Sequence, residues 1–222
     1  MNPGVAAVAT RLPAVLLVLS AALMPSWSAT AKECPAQLGR GWPPGTANYG
    51  GAVERLFDGP TSPALSLVWL PRSGKETGLA LLPGAEEGAA WTLRYSQADE
   101  RVYRWSGNAL ELKTEQAPEQ AVAPIPAALA QRLLKVWGDS LRQAAPESAA
   151  ATFHEGDMLS VVVDGMRFSA PVSECGPLEQ ILEQAGLLIE ASDEKESKRE
   201  RRWAEIDASL RTLQQSLASA GG

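Results

Sequence analysis

The stretch at residues 65–114 constrains the fold most, because it reads as a series of short strands joined by turns. Apolar and polar side chains alternate in residues 91–95, and residues 101–105 repeat the alternation with two aromatic side chains. This period of two is typical of strands with one buried face. If both strands bury the same face of one sheet, Tyr95 must lie opposite Tyr103, because any slip by a single position would expose one apolar set.

A second turn in this stretch favours the same buried face. The Gly-Asn pair at residues 107–108 tolerates the positive φ that two-residue hairpin turns require. Such a turn pairs Trp105 with Leu110 and Tyr103 with Leu112. We therefore expect an antiparallel meander whose aromatic side chains all lie on the buried face.

Two further hairpins are indicated elsewhere in the chain. The runs at residues 65–70 and 77–82 are apolar on both faces, which suits central strands. An Asp-Gly pair at residues 164–165 separates two alternating apolar runs at residues 158–163 and 166–170, which is a strong hairpin signal. The predicted fold class is α+β, with an antiparallel meander sheet of about seven strands, helices packed on one face and a C-terminal helix.

Two helices are predicted after a linker at residues 117–124. The first begins at Pro126, a residue favoured in the first turn of a helix. Its apolar residues recur on one helical face, and they are Leu129, Leu133, Val136, Trp137 and Leu141. The second runs over residues 176–185 with Gly186 as its C-terminal cap. Residues 187–189 are read either as more helix or as an edge strand.

The last predicted element is a helix over residues 193–218. Its apolar residues recur at alternating spacings of three and four, as in a coiled coil. They are Trp203, Ile206, Leu210, Leu213 and Leu217. One interpretation is that this seam docks on the body of the same chain. The other is that it binds a partner helix or a second copy, which would make a homodimer.

The N-terminus has the features of a secretory signal peptide. Arg11 supplies the positive charge, and residues 12–24 form an apolar core that is too short to span a bilayer. Residues 29–31 match a small-residue cleavage site. We expect cleavage after Ala31, a periplasmic or secreted protein of bacterial type, and no transmembrane segment in the remaining chain.

The chain divides into four predicted segments. The signal peptide at residues 1–31 precedes a Gly- and Pro-rich segment at residues 32–63, which we predict to be an irregular arm with one helical turn at residues 53–57. Residues 64–191 form the α+β domain. Residues 192–222 form the C-terminal amphipathic helix and tail.

The chain has two cysteines, Cys34 and Cys175. An even number of cysteines in an oxidising compartment favours a disulfide. Because the loop that it would close is long, the chain-entropy model gives roughly 5 kcal/mol of stabilisation. The alternative is two free thiols.

Three arginines lie on the polar face of the predicted meander, namely Arg94, Arg101 and Arg104. The predicted register places Arg94 directly opposite Arg104, and like charges in that position destabilise a sheet unless they are neutralised. One interpretation is that Glu111 and acidic side chains of a covering helix neutralise them. The other is a binding site for an anion or for an acidic protein partner.

The sequence offers little catalytic chemistry. It contains one histidine, His154, so a Ser-His or Cys-His mechanism would have to use that residue. Together with Glu155 and Asp157 it is a weak metal-ligand pattern, which is better read as a solvated turn. Phosphate-binding glycine motifs are absent, and a net charge of −6 argues against nucleic acid. We expect no metal, no cofactor and no nucleic-acid partner.

These features favour an exported, non-catalytic binding protein, for example an inhibitor or an immunity-type protein that recognises a protein partner in the envelope. The alternative is a structural or assembly component of the envelope that self-associates through the C-terminal helix. A hydrolase that uses His154 is a third hypothesis.

Overall fold

The structure of the protein is a computed structural model that describes residues 38–107, 109–173 and 175–220. The predicted signal peptide, its cleavage site and Cys34 lie outside these residues. The strands of the described part are β1 (Gly39–Arg40), β2 (Leu65–Leu70), β3 (Thr77–Leu82), β4 (Trp91–Gln97), β5 (Tyr103–Ser106), β6 (Ala109–Leu112), β7 (Glu119–Ile125), β8 (Met158–Val163) and β9 (Met166–Pro171). The helices are α1 (Ala47–Asp58), α2 (Ala127–Ala144), α3 (Gly176–Asp193) and α4 (Glu196–Ala220).

Seven of the strands form one antiparallel sheet in the order β1-β9-β8-β2-β3-β4-β7. The predicted β2–β3 and β8–β9 hairpins are both present. In the latter, Asp164 and Gly165 have φ of 51° and 71°, which is the left-handed backbone that a type I′ turn requires. The predicted α+β class and the seven-stranded sheet are confirmed.

The predicted meander is wrong in part, because β5 and β6 do not join this sheet. They form a separate two-stranded sheet, and Tyr95 lies between Leu79 of β3 and Ala121 of β7 rather than opposite Tyr103. The segment predicted as a linker is β7, which pairs with β4 over 7 residues, whereas β5 has only 4. The proline in β7 is tolerated because β7 is an edge strand.

The register within the β5–β6 hairpin is confirmed, but its burial is not. Tyr103 lies opposite Leu112, and Trp105 lies opposite Leu110, as the Gly-Asn turn predicts. The side chain of Trp105 is 61% exposed and that of Leu110 is 41% exposed. The outer part of this apolar face is therefore in solvent rather than in the core.

Helices α2 and α3 lie against one face of the seven-stranded sheet, and α4 packs on these two helices. Their apolar side chains form one core cluster with alternate residues of the central strands, such as Leu65 and Leu67 of β2. The predicted apolar face of α2 is buried in this cluster. Its members are Leu129, Leu133, Val136, Trp137 and Leu141.

The ends of α3 and α4 differ from the prediction, whereas the seam of α4 is buried. Helix α3 continues through Gly186 to Asp193, because Leu188 extends its buried face. The seam of α4 packs against α2 and α3. Its buried members are Ile206, Leu210 and Leu213, and its half-buried members are Trp203 and Leu217. This arrangement agrees with the interpretation that the seam docks on the body of the same chain. Self-association through the same residues stays a hypothesis.

Helix α1 corrects the prediction of an irregular arm with one helical turn, and it adds a helix on the second face of the sheet. It spans 12 residues, and its Val53 lies in a second apolar cluster with Val68 and Leu70 of β2. Those two side chains alternate with the residues of β2 that face the other helices, so they point to the opposite side of the sheet. The sheet is thus covered on both faces, by α2 and α3 on one, with α4 packed on them, and by α1 on the other.

Candidate functional site

The structure does not bring the three predicted arginines together. Arg94 lies on β4 beneath α1, where it donates to the carboxylate of Asp58 at 3.4 Å and to the hydroxyl of Thr61 at 3.2 Å. Its neighbours across the sheet belong to β3 and β7, so the predicted pairing with Arg104 is wrong. An acid of the covering helix neutralises Arg94, as one of the two interpretations expects.

The other two arginines lie beside the β5–β6 hairpin. Arg104 is exposed and stands opposite Glu111, as the register set by the Gly-Asn turn requires. Arg101 lies in the loop before β5, and its Nη2 donates to the carbonyl oxygens of Pro71 at 3.4 Å and Arg72 at 2.7 Å. Of the three arginines, Arg101 alone lines a cleft beside the β5–β6 hairpin.

A cleft of about 450 Å³ opens beside the β5–β6 hairpin. Its walls come from the first turn of α1, the β2–β3 turn, the hairpin and the loop before β8. The lining residues are Gly45, Thr46, Asn48, Tyr49, Leu70, Pro71, Arg72, Arg101, Tyr103, Leu110, Phe153, His154, Glu155, Gly156 and Met158. The volume falls within the range of ligand pockets in proteins.

Large apolar side chains are exposed around this cleft. In the part of the chain that the structure describes, the exposed members of this class are Trp105, Leu110, Val122, Phe153 and Ile189. Leu110 and Phe153 line the cleft, and Trp105 stands opposite Leu110 on the hairpin. Three of the five therefore gather at one site, and exposed apolar patches rimmed by polar residues mark interaction sites.

An aromatic ladder is formed by Tyr49, Tyr103 and Trp105, and its first two members line the cleft. The ring centroids of Tyr49 and Tyr103 are 5.0 Å apart, and those of Tyr103 and Trp105 are 6.3 Å apart at an interplanar angle of 84°. The guanidinium of Arg101 lies 5.6 Å from the Tyr103 ring centroid. These are favourable aromatic and cation–π geometries, and they fix the hairpin against α1.

A buried carboxylate holds the base of the ladder. Glu76 has no exposed surface, and its Oε1 accepts hydrogen bonds from the Tyr49 hydroxyl at 2.5 Å and the Tyr103 amide at 3.3 Å. Its Oε2 accepts from the Val102 amide at 2.8 Å. A buried carboxylate without donors would be strongly destabilising. Glu76 therefore ties α1 to the start of β5.

The environment of Tyr49 suits a holding role rather than proton transfer. Burial raises the pKa of Tyr49 far above its ordinary value of 10.0, and the hydrogen bond to Glu76 raises it further. The positive charge of Arg101 opposes this shift but does not cancel it. The phenol consequently stays protonated and donates to Glu76 throughout the physiological pH range.

The loop before β8 carries the weak metal-ligand pattern of the sequence. His154 shares a hydrogen bond of 2.9 Å with the Thr152 hydroxyl. Asp157 accepts hydrogen bonds from the Trp69 indole at 3.4 Å and from the Arg72 amide at 2.9 Å. Within the described ranges, no group of three or more His, Cys, Asp or Glu side chains is placed to hold a metal ion. Asp157 thus braces the loop against β2 and the β2–β3 turn.

The sequence patterns do not identify Glu76, although this residue holds Tyr49 and Tyr103 in the wall of the cleft. The residue precedes an apolar strand, as many solvated turn residues do. Its donors lie 26 and 27 positions away along the chain, so no local pattern reveals them. Tyr49 is likewise not revealed by a local pattern, because its partners Glu76 and Tyr103 lie far away along the chain.

No protein-family model matches the chain, and neither a curated protein nor a solved structure matches it significantly. In the described residues, none of the helices is both long and apolar enough to cross a membrane.

Proposed function

We propose that this chain is an exported, non-catalytic binding protein that recognises a protein partner through the cleft beside the β5–β6 hairpin. The observation that carries this proposal is the gathering of Trp105, Leu110 and Phe153 around one cleft. Trp105 and Phe153 are 61% and 58% exposed. Burial of a large apolar side chain stabilises a complex by roughly 1.5–3 kcal/mol, so a partner that covers these residues would gain substantial binding free energy.

The residue types of the cleft are those that dominate protein interfaces. Trp, Tyr and Arg are enriched among the residues whose truncation most weakens binding. Tyr49, Tyr103 and Arg101 line the cleft, and Trp105 lies next to Tyr103 on the hairpin. Because the ladder is already held by Glu76, little conformational entropy would be lost when a partner binds.

The exposed apolar face of the β5–β6 hairpin also supports binding of a protein partner. Two-stranded hairpins are marginally stable in water without further packing. The base of this hairpin is held by Glu76 and Tyr49, but its outer pair, Trp105 and Leu110, is exposed. A protein that packs on this face would complete the small sheet.

The polar groups of the cleft support recognition rather than catalysis. Behind the walls, the carboxylate of Glu76 accepts three hydrogen bonds, and Arg101 and Asp157 bond to the backbone of the β2–β3 turn. Each group therefore holds the walls in place. An inhibitor or immunity-type protein needs this kind of rigid, complementary surface.

Export and the disulfide remain part of the proposal. The signal peptide and the Cys34–Cys175 bond rest on the sequence, and together they favour a periplasmic or secreted protein. The assembly alternative gains no support from the described residues, because the seam of α4 lies in the core of the chain.

The proposal is tested by capture of partners from envelope extract with three forms of the purified protein. The forms are the natural chain, the cleft variant Trp105→Ala/Phe153→Ala and the control variant Val122→Ala/Ile189→Ala, which also removes two exposed apolar side chains but away from the cleft. We expect a stoichiometric partner with the natural chain and the control, and at least about tenfold weaker capture with the cleft variant, because two interface aromatics are lost.

Equal capture by all three forms would place the binding surface elsewhere and contradict the proposal. Circular dichroism of each variant serves as the folding control. The exposed side chains make little contact with the core, so all three forms should melt at similar temperatures.

A further inference from the structure

The charges and rings of the cleft specify what a partner must present. Resting on the proposed binding function, we infer that the partner inserts a segment in which an aromatic or large aliphatic side chain stands next to a carboxylate. The occupant is a protein segment, because the cleft continues into the exposed apolar face of the hairpin, where a chain can lie across it.

The apolar requirement follows from the cleft opening. Leu110 and Phe153 both line the cleft and are exposed, and Trp105 stands opposite Leu110 on the hairpin. A ring that entered between these groups would find edge and face contacts of the kind that aromatic pairs prefer. The volume of about 450 Å³ admits one large side chain and its flanking backbone rather than a folded element.

The acidic requirement follows from two arginines. Arg72 and Arg101 both line the cleft, and none of the ion pairs formed among the described residues includes either of them. Arg101 is partly buried, and its Nε is enclosed without a hydrogen-bond partner in the described part of the molecule. An incoming carboxylate would place negative charge beside the two guanidinium groups and could form charge-assisted hydrogen bonds with Arg72, which is exposed.

The first turn of α1 adds to the positive character of the same wall. Thr46 and Asn48 line the cleft, and the hydroxyl of Thr46 donates to the Pro43 carbonyl at 2.7 Å rather than capping the helix. The first turn contains no acidic residue. The positive end of the helix dipole therefore acts in the same direction as the two arginines.

The remaining charges do not reverse this preference. Glu155 is the one carboxylate among the lining residues, and it lies exposed. The carboxylates of Glu76 and Asp157 lie behind the walls, where hydrogen bonds from Tyr49, Val102, Tyr103, Trp69 and the Arg72 amide already engage them. The net charge of −6 is spread over the whole chain, and salt screens exposed charges beyond about 8 Å under physiological conditions. Contacts inside the cleft are therefore governed by Arg72 and Arg101.

Three capped peptides test the inference by NMR titration of the isotope-labelled full chain. The first, Ac-Ser-Asp-Phe-Asp-Ser-NH2, carries both features. The second replaces each Asp with Asn, and the third replaces Phe with Ala. We expect the first peptide to shift the amide signals of Arg101, Tyr103 and Phe153, and to bind about fivefold more tightly than the second. The third should cause no saturable shift.

Two arginine variants test which residue causes the preference for the Asp peptide over the Asn peptide. Arg72→Gln should remove most of the preference for Asp over Asn, whereas Arg104→Gln, an exposed arginine outside the cleft, should preserve it. Equal affinities of the first two peptides, a preference that survives Arg72→Gln, or no binding of any peptide would each overturn this inference. The proposed function would still be decided by the separate partner-capture experiment.

Discussion

Gly50 and Gly51 are neighbours in α1, but their surroundings differ. The ring of Trp42 lies directly against Gly50, and the guanidinium of Arg167 lies 4.1 Å from the centroid of the same ring. Arg167 in turn pairs with Glu54 of α1. A Cβ atom at Gly50 would overlap the Trp42 ring, whereas one at Gly51 would lie 3.4 Å from Arg55, which is ordinary contact.

The two glycine-to-alanine substitutions should therefore have opposite effects on stability. Gly50→Ala should lower the unfolding free energy by about 1–3 kcal/mol, the usual cost of overpacking. Gly51→Ala should raise it by about 0.5–1 kcal/mol, because alanine restricts the unfolded chain more than glycine does. Urea denaturation measures both, and equal effects at the two positions would disprove the close contact between Trp42 and Gly50.

At the scale of elements, α1 is held to the sheet by charged as well as apolar side chains. Glu54 pairs with Arg167 of β9, and Asp58 pairs with Arg94 of β4. Burial raises the pKa of Asp58 from 3.8 to about 6, and this effect outweighs the opposing influence of Arg94. The folded protein therefore binds a proton at Asp58 more tightly than the unfolded chain does.

This shift predicts a pH-dependent attachment of α1. Because the pKa of Asp58 is higher in the folded state, its contribution to stability is greatest below about pH 4 and is lost as pH rises through about 6. The loss amounts to about 2–3 kcal/mol, since a tenfold change in proton affinity is worth about 1.4 kcal/mol. Comparison of the natural chain with Asp58→Asn by urea denaturation from pH 4 to pH 7.5 isolates the effect.

A second aspartate, Asp139, provides a control because its pKa is shifted in the opposite direction. Hydrogen bonds and charge from Lys135 and Arg142 lower the pKa of Asp139 on α2. Its contribution to stability is therefore present at neutral pH and lost as pH falls, so Asp139→Asn should change the pH profile in the other direction. If Asp58→Asn left the profile of the natural chain unaltered, the raised pKa of Asp58 would be ruled out.

At the scale of the whole molecule, α4 completes the main core. Ile206, Leu210 and Leu213 are buried among residues of α2 and α3. A buried hydrogen-bond chain joins the same helices, because the Trp137 indole donates to Gln184 at 2.6 Å and Gln184 donates to the Ser209 hydroxyl at 2.9 Å. Removal of α4 would expose apolar surface and leave Gln184 without one of its partners.

A chain that ends at residue 195 should therefore fail to fold. The loss of three buried Leu or Ile side chains costs about 5–9 kcal/mol, which is comparable with the whole stability of a typical domain. A chain that ends at Leu213 loses only the half-buried Leu217 from the seam and should still unfold cooperatively. Thermal circular dichroism distinguishes the two. A cooperative transition in the shorter chain, at a similar temperature, would show that α4 is not part of the core.

Local patterns explain which parts of the fold were predictable. The turns at residues 107–108 and 164–165 specify their hairpins from within a few residues, and both registers are confirmed. The apolar faces of α2 and α4 were likewise recognisable from their periodicity. The candidate site was less predictable, since Arg101 belongs to it, whereas Arg94 and Arg104 do not line it.

The sequence by itself determined the hairpins, the amphipathic helices and the α+β class, because these depend on backbone preferences and on side-chain periods within one element. Only the tertiary structure decided that β7 rather than β5 pairs with β4, and that α1 covers the second face of the sheet. It also decided the cleft, in which Glu76 bonds to Tyr49 and Val102 across distant parts of the chain. Such choices depend on competition among segments for the same edge or face, and that competition leaves no local mark in the sequence.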